Sequence, residues 1–129
     1  MTRLAKQRKA LNEVVNELAR TRAWADKNEL ILASVAVVRQ LLVRKAGELI
    51  DEVEFADGSV ATVAFHETLM KLEVLNGMRA RVVELQFYGG MTDEESAEVL
   101  GLSVGAAHEH SVAAKGWIAA RMQALAELK

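Results

Sequence analysis

Apolar residues recur along this chain at intervals of three and four, the period of one face of an α-helix. From Thr2 to Trp24 the stripe is Leu4, Leu11, Val14, Val15 and Leu18, with Arg3, Lys6, Arg8, Lys9, Arg20 and Arg22 filling much of the remainder. Such a segment reads as an amphipathic helix with a solvated basic face, or as a basic arm for nucleic acid or an acidic partner. Asp26 can cap the next helix, expected over about residues 27–49. Its apolar residues, Leu30 to Leu32, Val35, Val37, Val38 and Leu41 to Val43, lie on several faces, so it should be the buried hub of the N-terminal half. Phe65, Leu69, Leu72 and Leu75 predict a helix from about Thr62 that Asn76-Gly77 ends. Met78 to Phe87 predicts another, with Val82, Val83 and Leu85 buried and Gly89-Gly90 as its stop.

The segment between the two halves, residues 51–64, breaks this rhythm. Val53 and Phe55 alternate with acids, Asp57-Gly58 is a hairpin-turn dipeptide, and Val60 and Val63 follow. These signals leave a short hairpin and an acidic linker both open. The C-terminal stretch is the most informative. Thr92 and Glu95 have capping-box spacing, and Ala97, Val99, Leu100 and Leu102 give a short helix an apolar face. Gly101 can take the left-handed conformation that ends a helix, and Ser103 can cap a longer one running to about Leu128. Val112, Trp117, Ile118 and Leu125 are expected to pack inward. A short helix, a glycine turn and a long helix predict a helix-turn-helix unit.

At 129 residues, with 51% apolar and 26% charged residues and no proline, the chain suits a soluble all-α protein of five to six helices. The absence of cysteine removes disulfides and thiolate metal sites and is compatible with a cytoplasmic location. No apolar run reaches membrane-spanning length, so no membrane contact is expected. Net charge is −2, but it is unevenly spread: +5 over residues 1–48, −4 over 49–91 and −3 over 92–129. Enzymatic chemistry finds no support, for there is no phosphate loop, nucleophile elbow or triad. His108 and His110 point about 200° apart on a helix and cannot share one metal ion. Glu94-Glu95 reads as charge complementing a helix dipole. No cofactor and no metal are expected.

The run Arg79-Ala-Arg-Val-Val-Glu-Leu-Gln-Phe-Tyr-Gly-Gly-Met-Thr-Asp-Glu-Glu-Ser-Ala-Glu-Val-Leu-Gly-Leu-Ser103 resembles the fourth conserved region of extracytoplasmic-function (ECF) sigma factors, where the pattern is R-x-R-V-V-E-L-R-F-F-G-G-L-T-x-E-E-x-A-E-V-L-G-V-S. Trp24 to Val43 is similar to the end of the family's second conserved region. Response-regulator output domains share the T-x-E-E-x-A-x-x-L-G-x-S run, but not this second match. The resemblance implies residues 1–50 as a partial region-two-like helical pair, 51–64 as the linker, and 65–129 as a region-four-like domain with a C-terminal helix-turn-helix.

The resemblance further implies a transcription regulator whose partners are promoter DNA and RNA polymerase core. Thr92, Ser103, Gly105, Ala106, His108, Glu109, Ser111 and Lys115 stand at its DNA-binding positions, and Val82, Val83, Gln86 and Phe87 at its polymerase-binding ones. Several contact positions depart from the family. His108 stands for lysine, Glu109 for arginine, Ala106 for threonine and Ser111 for an aromatic residue, so the grip on phosphate should be weakened. In the N-terminal half Arg39 matches a family arginine of the promoter-reading helix, while Gln40 replaces the next. These departures leave a second reading: a sigma-like protein-interaction module, acting as a decoy or a homodimer, with little DNA affinity.

Overall fold

The computed structural model describes residues 3–52 and 59–127, with side-chain surroundings over 5–46 and 61–124. These residues form α1 (Arg3–Ala19), α2 (Lys27–Glu52), α3 (Ser59–Leu75), α4 (Gly77–Gly89), α5 (Asp93–Leu100) and α6 (Val104–Glu127), and no strand occurs among them. The all-α class follows directly from the helical spacing of the apolar residues.

Each boundary has a local cause. Asp26 Oδ1 accepts from Glu29 N (2.8 Å) and Glu29 Oε2 from Ala25 N (2.7 Å), starting α2 as its sequence predicts. Asn76 both follows the end of α3 and caps α4, accepting from Arg79 N at 3.1 Å. Gly90 and Gly101 stop α4 and α5 with φ of 64° and 69°, a region that costs any residue with a Cβ roughly 1–2 kcal/mol.

The hairpin alternative is overturned at its second half. Residues 59–64 belong to α3 and residues 51–52 to α2, so the expected 51–64 linker is also shorter at both ends. A helix satisfies its own backbone hydrogen bonds, and no sheet occurs among the described residues for a hairpin to join. Residues 53–58, which carry the Asp57-Gly58 signal, lie outside the described residues.

One apolar core draws on the described helices from both ends of the chain: Leu11 of α1, Val35 and Val38 of α2, Leu69 and Leu72 of α3, Leu85 and Tyr88 of α4, Val99 of α5, Ile118 of α6. α4 is the central member, touching α1, α2, α3, α5 and α6. Its end comes so close to the N-terminal helices that a Cβ on Gly89 would lie 3.2 Å from Val35 Cγ2 and 3.5 Å from Leu11 Cδ2. Leaving out the side chain is what lets the three helices meet there.

Arg39 ties the same helices by charge. Its guanidinium is buried and donates to His66 Nδ1 (2.9 Å), Glu73 Oε1 (2.5 Å) and Glu84 Oε2 (2.7 Å), joining α2 to α3 and α4. The position that the resemblance assigns to promoter reading is therefore committed inside the fold. Because arginine can only donate, His66 Nδ1 must accept, and a neutral His66 carries its proton on Nε2. Burial, then the nearby Arg39 charge, push the His66 pKa down.

Candidate nucleic-acid interface

The start of α5 is built from its own acids. Thr92 Oγ1 accepts from Glu95 N (3.1 Å) while Glu95 Oε1 accepts from Thr92 N (3.1 Å), completing the capping box. Asp93, Glu94 and Glu95 fill the first turn, where the helix dipole favours negative charge. Arg8 of α1 donates to the other Glu95 oxygen, and this bond is the main reason its carboxyl sits below the usual range. Thr92 itself is exposed, with its hydroxyl engaged in the cap.

Beyond the Gly101 turn, Ser103 Oγ accepts from Ala106 N (3.1 Å) and starts α6. The inner stripe of this helix is Ala107, Ser111, Ala114 and Ile118, all buried. Its outer stripe carries Val104, Gly105, His108, Glu109 and Val112 into solvent, with Ser103 at its head and Ala106 half-buried beside it. Lys115 lies two turns beyond His108 on this side and is also exposed.

A chain of hydrogen bonds runs from this surface to the interior. His108 Nδ1 meets Asp93 Oδ2 at 2.8 Å, Gln86 Nε2 donates to Asp93 Oδ1 at 2.7 Å, and Ser111 Oγ donates to Gln86 Oε1 at 2.7 Å. It crosses α6, α5 and α4 and returns to α6. The His108 bond, followed by that of Gln86, holds the Asp93 carboxyl below its usual range.

Four expectations need correction. Ser111 does not face outward, since it retains 2% of its surface and spends its hydroxyl on Gln86. Val112, expected to pack inward, is 57% exposed, because the inner stripe passes through positions 107, 111, 114 and 118. Val82 keeps none of its surface exposed and is core, out of reach of any partner. Gln86 is buried too, its amide bound on both sides by Asp93 and Ser111.

Val83, Gln86 and Phe87 nonetheless form one wall of a largely apolar groove of about 380 Å³. Phe65 of α3 stacks on Phe87 with ring centroids 4.1 Å apart, and Met91 with Ile118, Ala119 and Met122 of α6 supply the rest, with Lys115 on its lining. No group of three His, Cys, Asp or Glu residues able to hold a metal ion occurs among the described residues. No helix among them is long and apolar enough to cross a membrane.

The family model described as ECF sigma factor matches residues 7–124. The chain belongs to the ECF sigma factor family. The match covers most of the chain, including most of α1 and all of α2. No curated protein and no solved structure matches it. Within this family member, sequence reasoning missed Asp93, the residue that ties His108 of α6 to Gln86 of α4. The signal was available: an acid directly after the Thr92 cap faces the first turns of the following helix across the glycine turn.

Proposed function

We propose that this sigma-factor-like regulator binds duplex promoter DNA through the outer stripe of α6 and RNA polymerase through the groove between α3, α4 and α6. The observation that carries the reading is the exposed outer stripe in the N-terminal half of α6, which follows α5 across the Gly101 turn in a member of this family. Second helices of such units commonly enter the major groove. Ser103, His108 and Lys115 are the donors on this side, while Glu109 can accept from cytosine N4. With Asp93, Glu94 and Glu109 close by, phosphate attraction is weak, so polymerase must supply part of the affinity.

The groove gives a second reading its own support. Its aromatic, methionine and alanine lining suits the apolar face of a partner helix. A protein-interaction module would use it without touching DNA. Electrophoretic mobility shifts of random duplex DNA at low salt, with and without polymerase core, separate the two. A shift that grows with core supports the first reading. Capture of core without any DNA shift supports the second.

A further inference from the structure

We infer that Asp93 positions His108 as a protonation-dependent contact to DNA, so that its free ring nitrogen donates to a phosphate oxygen or to guanine N7/O6 only in the imidazolium form. This rests on the proposal that α6 faces DNA. His108 lies on the outer stripe of α6 with 64% of its side chain exposed. Its Nδ1 is taken by Asp93 Oδ2 at 2.8 Å, and Asp93 is itself fixed by Gln86 Nε2 at 2.7 Å. An ionised carboxylate can only accept, so Nδ1 must carry a proton. That leaves Nε2 as the outward nitrogen, with no hydrogen-bond partner among the described residues.

The consequence is an inversion of hydrogen-bonding sense. In the imidazolium, Nε2–H is a charged donor matched to phosphate or a guanine edge. In the neutral ring with Nδ1 protonated, Nε2 is a bare acceptor that repels both. A lysine ammonium offers donors only; this imidazole offers Nε2–H as a donor only as the imidazolium. The groups acting on Asp93 are His108 and Lys115 of α6 and the neutral Gln86 of α4, with the exposed Glu94 and Glu109 next to the pair in sequence. Lys115 adds a second positive charge to the surroundings of Asp93.

Fluorescence anisotropy of the full chain on duplex DNA from about pH 5.5 to 8 tests this. Affinity should fall roughly five- to ten-fold at 0.1 M salt as pH rises, and the salt slope should drop by about one unit, the signature of one lost phosphate contact. His108→Gln should abolish the pH dependence, and His110→Gln should keep it. An equal effect on dA·dT and dG·dC duplexes assigns the contact to phosphate, and an effect on dG·dC alone assigns it to guanine. Independently of DNA, imidazole 15N spectra should show neutral His108 protonated on Nδ1, a preference that Asp93→Ala removes. Binding that is unchanged by pH, or a neutral ring protonated on Nε2, overturns the inference and leaves the DNA-binding proposal standing. No binding at any pH overturns both.

Discussion

Arg39 of α2 and Glu84 of α4 meet at 2.7 Å, in a site where Arg39 keeps 7% of its surface exposed. Charges removed from water this far stabilise a fold only as a matched set, and removing one partner strands the other. Arg39→Ala should therefore cost about 3 kcal/mol in urea unfolding. Arg39→Met restores volume but still leaves Glu84 unpaired. The double variant Arg39→Met/Glu84→Met should recover most of that loss, since Glu73, the other acidic partner, is 45% exposed and can turn to water. Equal losses in single and double variants would disprove the coupling.

Acid should weaken the protein in two stages. The folded-state pKa of His66 lies below its ordinary value of 6.5, so the unfolded chain takes up a proton that the folded one resists. Stability present above that value is lost as pH falls from about 6.5 through the folded pKa. Asp93 and Glu95 are also depressed, by His108 and Arg8, and their contributions disappear below the ordinary carboxyl range. Melting temperature against pH should show both stages, and His66→Gln should erase only the upper one.

Glu109→Lys reverses a charge on the outer stripe of α6 at an exposed position. Stability should stay within about 0.5 kcal/mol. Affinity for duplex DNA should rise and its salt slope should steepen by about one unit. An unchanged slope in a salt titration would mean that this side of α6 does not meet phosphate.

Ala119 is exposed on the lining of the groove, so a large side chain there obstructs the groove without entering the core. Ala119→Arg should leave the melting temperature unchanged and reduce co-purification with polymerase core at least several-fold. Full retention of core would place that partner elsewhere.

How far the sequence carried these conclusions differs from residue to residue. Asp26, Thr92, Gly101 and Ser103 could be read directly, because caps and left-handed glycines depend on neighbours within four positions. Val112 and Ser111 could not, since a single valine outweighs a serine on any hydrophobicity count. The facing Ala107 and Ala114 are what place the serine inside. Arg39 was legible as a family residue, but its partners lie 27, 34 and 45 positions away, and no local pattern encodes such distances. Asp93 looked like one more acid in an acidic turn until α6 brought His108 beside it.

Gly89 gives this architecture its practical consequence. Where Leu11 and Val35 press on it, the end of α4 takes part of its wall from α1 and α2. A fragment holding only the last three helices would bare that seam to water, so dissecting the protein into separately expressed halves should yield aggregates. Sequence change in α1 is then felt at the end of α4, where Leu11 packs on Gly89.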